Sequence, residues 1–221
     1  MAGLIGLTSQ DIELQDALRA TKWDYDGQWI PHPVVRLTTT LPIAIQKGGE
    51  RPIVRARWGF PVSGGRPVGN ARDDRLLESP MWKSMLGKSP CLVATTGVYE
   101  MVEVGGKKQS LWFRRQDHKP IVMPGLCAPR KMDEGEARLC CAIVTTAPNK
   151  LFGRFHDRQV CTLDGKELDK WMSATDPHEA VALLHTAKDG EWEAVPVDNE
   201  VFQKGRREME HLREIGPVIR E

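Results

Sequence analysis

From residue 34 to about 163 the apolar residues arrive in short β-rich runs: VVRLTTTLPIAI, PIVRARW, CLVATTGVYEM, SLWFRR, KPIVMPGLC, LCCAIVTT and VCTL, cut apart by Gly, Pro or charged turns. β-Branched and aromatic residues suit a pleated, half-buried surface, so these runs predict strands. Because βα alternation is missing, the expected class is α+β, with a mostly antiparallel, barrel-like β core and helices at its margins. Thr8 followed three residues later by Asp11 resembles a capping box, and Leu14, Ala17 and Leu18 share a face, which predicts a first helix near residues 9–21. Ser79-Pro80 opens a second, running to about Met85, and Asp176-Pro177 opens a third through HEAVALLHTA. The stretch VFQKGRREMEHLREIG is expected to be a charged surface helix.

A chain of 221 residues is long enough to build a core without a disulfide or metal staple. With no repeat, low-complexity tract or linker, residues 1–221 read as a single domain. The balance of 40% hydrophobic and 28% charged residues is that of a soluble globular protein. No apolar run reaches the length of a membrane helix, and MAGLIGLTSQDIEL has no basic leader, so neither membrane nor secretion is expected. With 31 basic and 30 acidic residues, bulk charge is silent about nucleic acid, whose binding would need a local patch. Five cysteines without a CxxC pair predict free thiols in a reducing, cytoplasmic compartment, nucleoid-associated if the source is bacterial. Cys140-Cys141 reads as part of a buried strand. The six histidines lack any zinc-type spacing, so no metal and no cofactor is expected. Trp58, Trp82, Trp112 and Trp171 sit in apolar segments and read as core. Of the basic clusters, Arg114/Arg115 and the tail set Lys204, Arg206 and Arg207 read as solvated.

Three segments join polar groups to sharp turns in a way a plain β core does not need: GNARDD at 69–74, TGVYEM at 96–101 and RFHDRQ at 154–159. Glu100 closes an apolar alternation near an expected sheet end, where a partly desolvated carboxylate can shuttle protons; a solvated strand-end glutamate is the other reading. His156 is either a general acid or base beside a polar cleft or a structural histidine. Asn70 after Gly69 either orients a ligand or closes a turn.

Taken in order, RWGF at 57–60, NAR at 70–72, CLVATTGVYE at 91–100, PGL at 124–126, IVTTA at 143–147, HDR at 156–158 and WM at 171–172 resemble the SRAP family, the abasic-site-processing proteins once called SOS-response-associated peptidases. The likeness runs from MAG to VPVDNE near 195–200. It implies a compact, mainly β fold that holds single-stranded DNA in a groove and reacts with an abasic site, as a monomer without metal. In the family, removal of the initiator methionine exposes a cysteine whose α-amine forms a Schiff base with the ring-opened sugar and whose thiol then closes a thiazolidine. An α-amine, with a pKa of roughly 7.7 to 8, is appreciably neutral and nucleophilic near pH 7. By the same resemblance Asn70 positions the N-terminal residue and the sugar, Glu100 shuttles protons, and His156 assists ring opening and strand cleavage or reversal. Thr145 looks like a site-lining threonine, and Arg72 like a phosphate-binding arginine.

The pattern breaks at Ala2, where the family has cysteine: without sulfur the stable crosslink is impossible. Either a cysteine has been replaced or this is a natural relative that does not crosslink. A free amine at Ala2 still permits a reversible imine and β-elimination, so abasic-site lyase chemistry stays open, whereas peptidase action loses its nucleophile. The segment PVSGGRPVG lacks the aromatics with which relatives wedge against bases, a loss of about 1 to 3 kcal/mol per stacked base, with Arg66 a possible electrostatic substitute. VRLTTTLP replaces an Asn/Pro-containing loop, and RQVCTL lacks the proline usual after HxR. The alternative is a non-catalytic module that binds single-stranded or junction DNA, or a protein partner.

Overall fold

The computed structural model describes residues 3–104, 106–132, 135–203 and 208–221. Its strands are β1 (Leu4–Leu7), β2 (Lys22–Trp23), β3 (His32–Arg36), β4 (Thr40–Ile45), β5 (Pro52–Trp58), β6 (Asn70–Arg72), β7 (Pro90–Thr95), β8 (Gly97–Val104), β9 (Lys107–Arg115), β10 (Ile121–Lys131), β11 (Ala137–Thr146), β12 (Gln159–Val160) and β13 (Trp192–Val197). The helices are α1 (Asp11–Leu18), α2 (Pro80–Lys83), α3 (Lys150–Gly153), α4 (Glu167–Ser173) and α5 (Pro177–Ala182).

Strands β4, β5, β11, β10 and β7 pair in a ring that returns to β4. Four of its contacts are antiparallel, and the parallel pairing of β5 with β11, Cys140 opposite Arg57 and Cys141 opposite Trp58, closes it. Closure removes the exposed strand edges that invite wrong pairing. A second sheet, ordered β13-β9-β8-β1-β3, packs beside the barrel. The two are joined where β7 runs into β8: Thr95 Oγ1 lies 2.6 Å from the Gly6 carbonyl, and the Thr8 amide and hydroxyl reach Thr96 Oγ1 at 3.1 and 2.9 Å. Gly97 permits this turn, since a Cβ there would lie 1.7 Å from Trp112 Nε1. These bonds fix β1 against β8 with Ile5 opposite Val98 and Gly6 opposite Gly97.

The four tryptophans expected in the core are buried, as are all five cysteines, each a free thiol. Two long runs divide. VVRLTTTLPIAI turns at Thr38, whose φ of 78° is left-handed, and CLVATTGVYEM turns at Thr96. The helices are shorter than expected. α1 begins at Asp11, because Gln10 is the cap and its amide donates to Glu13 Oε2 at 2.9 Å, while Thr8 is committed to Thr96. It ends where Arg19 turns left-handed at φ 51°, so a helix to residue 21 is not formed. Its apolar stripe holds: Leu14 and Leu18 are fully buried, each worth about 1.5–3 kcal/mol. The helix opened at Ser79-Pro80 stops at Lys83, and the one capped by Asp176 stops at Ala182. α4, which the periodicity did not single out, buries Trp171 and donates its indole N–H to the Cys91 carbonyl at 3.1 Å.

The expected C-terminal helix is absent among the described residues; Lys204, Arg206 and Arg207 lie outside them. Single 3-10 turns occupy Asn199–Phe202 and Met209–His211, and the tail bridges β13 at Val197–Glu214 and Ala194–Ile219. Ion pairs hold it there. Arg114 and Arg220 both bond Glu193, whose side chain is 3% exposed, and Arg213 bonds Asp198 and Glu200. Burial would push Glu193 up, but the bonds from Arg220 and Arg114 hold it below the usual carboxylate range. Arg114 is therefore not solvated as expected. Arg115 forks onto Asp117 at 2.9 and 3.0 Å and holds that carboxyl at about 2.

Candidate active site

The segments GNARDD, TGVYEM and RFHDRQ are linked in the fold through Asp73 with Arg158 and Glu100 with His156. The first is placed by Gly69, whose carbonyl accepts from Trp58 Nε1 at 2.8 Å and from the Ile143 amide at 2.9 Å. A Cβ at this position would fall 2.1 Å from Leu37 Cδ1 and 2.8 Å from Trp58 Nε1, so only glycine fits. This clamp sets β6 parallel to β11, with Asn70 opposite Ile143 and Arg72 opposite Thr145.

Leu37 also donates its amide to the Gly3 carbonyl at 3.1 Å, so the N-terminal segment, the β3–β4 turn and Gly69 converge. Extending the β1–β8 register by two residues sets Gly3 beside Glu100. Glu100 is not at a strand end as expected. It lies in mid-strand, opposite Leu111, and partly buried. Burial pushes its carboxyl above the usual range; the nearby charge of His156 works against that shift and Asp157 works with it. A carboxyl held above its ordinary value within the electrostatic reach of an imidazole can give and take protons.

His156 follows α3, whose N-cap Asn149 accepts from the Phe152 amide at 3.0 Å. Its Nδ1 faces two groups: the Arg158 amide at 3.0 Å and Asp157 Oδ1 at 2.9 Å. These are alternatives. A lone pair on Nδ1 accepts the amide, leaving the proton on Nε2, whereas imidazolium donates from Nδ1 to Asp157.

Arg158, which residue-by-residue reading missed, ties these elements together. Its guanidinium is buried and Nη2 donates to Asp73 Oδ1 at 2.7 Å, to the Thr145 carbonyl, and toward Thr145 Oγ1 at 3.4 Å. The segment after β6, the end of β11 and the HDR turn are thus one unit. The signal was present in the acidic pair of GNARDD and the arginine of RFHDRQ, but the partners are 85 residues apart.

Thr145 is buried beneath this clamp. Arg72 is exposed on the same rim and forks onto Asp74 at 3.0 and 2.7 Å, which holds Asp74 at about 2. Arg66 is exposed in the 61–67 loop closed by the Phe60–Val68 bridge. Ala2 lies outside the described residues. Among the described residues no group of three His, Cys, Asp or Glu side chains could hold a metal.

A family model described as SOS response associated peptidase (SRAP) matches residues 1–204. The chain is 24% identical to the abasic site processing protein YoqW of Bacillus subtilis over 208 residues, covering 90% of this chain and 93% of that one. It is 26% identical over 172 residues to the abasic site processing protein YedK of Escherichia coli, covering 74% and 76%. Among solved structures, a protein from Bacteroides thetaiotaomicron superposes with a TM-score of 0.79 at 18% identity, covering 96% of this chain and 99% of that one. A phage-related protein from Bordetella bronchiseptica does so at 0.71 and 22% identity, covering 90% and 95%. The matched span takes in the Gly69 clamp, Glu100, His156 and Arg158, and the chain belongs to the SRAP family.

Proposed function

We propose that this protein captures abasic sites in single-stranded DNA through a reversible Schiff base made by the α-amine of Ala2 once Met1 is removed. The observation that carries the reading is the β1–β8 register, which leads the N-terminal segment toward Glu100, a carboxyl raised by burial and within the electrostatic reach of His156. The substrate class comes from the relatives, which are abasic site processing proteins.

The chemistry follows from these groups. The neutral amine attacks the C1′ aldehyde of the ring-opened sugar, and loss of water leaves the imine. Protonated Glu100 gives its proton to the departing hydroxyl and, as carboxylate, can later take one. Removal of a C2′ proton from the iminium expels the 3′ phosphate, so the same intermediate supports β-elimination; hydrolysis returns the amine. His156 serves ring opening or protonation of the leaving group, and Asn70 orients the sugar. Alanine supplies no thiol, so the adduct stays hydrolysable.

The test is borohydride trapping. Intact-protein mass spectrometry after incubation with a single-stranded oligonucleotide bearing one abasic site should show a reduced adduct at the N-terminal peptide, absent with undamaged DNA and diminished in Glu100→Gln. Equal binding of damaged and undamaged DNA, with no adduct from the demethionylated protein, would instead identify a non-catalytic DNA-binding module.

A further inference from the structure

The buried free thiols take no part in the proposed chemistry, and three of them fall on one face of the barrel strands. In β10 and β11 Cys127 stands directly opposite Cys141, and in β7 and β10 Cys91 stands opposite Gly125. Side chains two apart on a strand share a face, so Cys91, Cys127 and Cys141 form one stripe across three adjacent strands. Cys127 borders a cavity of about 390 Å³, lined by Pro90, Pro129 and Leu139 on the strands and by Met172–Thr175 at and just beyond the end of α4.

We propose that Cys127 is an oxidant-reactive thiol, with Cys141 as its resolving partner and Cys91 as the hydrogen-bond donor that supports its thiolate. The cavity admits a small electrophile such as a hydroperoxide. The Cys127 thiolate attacks one peroxide oxygen and expels the other as hydroxide or alkoxide, becoming a sulfenic acid. The Cys141 thiol, giving up its proton, then attacks that sulfur; the sulfenic oxygen leaves as water and a disulfide joins β10 to β11. Directly opposed strand positions have Cα atoms roughly 4.5–5.5 Å apart, inside the range a disulfide spans, whereas the diagonal Cys91–Cys127 relation is wider.

The surroundings agree. The Cys91 hydrogen bond draws the Cys127 thiol down against its burial, while burial pushes Cys91 and Cys141 well up. Cys140 and Cys161 point their thiols at carbonyls, Arg138 at 3.7 Å and His185 at 3.3 Å. Since β11 also carries Thr145 and aligns Asn70, the disulfide would lock the strand on which the candidate active site is assembled.

The test uses the intact folded protein and peptide mapping. Under a brief, limiting iodoacetamide pulse Cys127 should be labelled at least ten times faster than the other four. Hydrogen peroxide should give a loss of two hydrogens per chain and a Cys127–Cys141 linked peptide. In Cys141→Ser the oxidised species should persist and be trapped at Cys127 by dimedone, and Cys91→Ser should slow labelling at neutral pH while leaving the rate at alkaline pH near that of the parent. Preferential labelling of another cysteine, labelling that tracks global unfolding, or a disulfide between a different pair would overturn the proposal.

Discussion

Removing the Arg158 guanidinium should uncouple three segments at once, and the cost can be worked from its contacts. Nη2 bonds Asp73 at 2.7 Å and the Thr145 carbonyl, and the arginine and aspartate side chains are 9% and 22% exposed. A hydrogen bond to a charged group contributes about 1.5–3 kcal/mol, and breaking a fully buried pair costs about 3–5 kcal/mol because the survivor is left uncompensated. Asp73 keeps some solvent, so Arg158→Met should cost about 3 kcal/mol and Asp73→Asn about 1–2 kcal/mol. The double variant should be less destabilised than the two effects added, with a coupling of about 1.5 kcal/mol. Urea denaturation of the four proteins measures this directly. A coupling below about 0.5 kcal/mol would refute the clamp and leave Arg158 as an ordinary buried cation.

Gly69→Ala should destabilise by about 1–3 kcal/mol or more by driving a methyl into Leu37 and Trp58, lowering Tm, with partial recovery when Leu37→Ala is added. Glu100 has a folded-state pKa raised above the ordinary 4.5, so it binds more protons folded than unfolded. Its contribution is therefore full at low pH and is lost as pH rises from about 4.5 through the folded value; denaturation of Glu100→Gln across that window should show a flatter profile and no loss of stability at neutral pH. Asp74→Asn releases the Arg72 fork, and should tighten single-stranded DNA binding and steepen its salt dependence by about 0.7 in log–log slope, read by fluorescence anisotropy.

The strand-rich middle was legible because β-branched and aromatic residues cluster there in short runs. Local pattern could not show that β5 and β11 pair parallel to close the barrel, since Trp58 and Cys141 are far apart in sequence. The tail misled for a physical reason: VFQKGRREMEHLREIG has the composition of a solvated helix, but Arg213 and Arg220 find carboxylates on and beside β13 and draw the chain along that strand instead. Arg114 misled likewise, its partner Glu193 being a cross-strand neighbour. At the site, Asn70, Glu100 and His156 stood out in their turn segments, and the ordered SRAP motifs gave them roles. Glu100 alone reads like any strand glutamate, and its raised pKa depends on burial that only the assembled sheets create. Arg158 and Asp73 were in segments already marked as unusual, but their partnership is long-range.

On the proposed Schiff-base reading, the protein lacks only the sulfur that would make its adduct permanent. Restoring it with Ala2→Cys and incubating with abasic single-stranded DNA, without reductant, tests this most directly. The expected result is a DNA–protein adduct that survives denaturation in Ala2→Cys and forms only under borohydride in the parent. Failure of the demethionylated Ala2→Cys protein to form any stable adduct would contradict it.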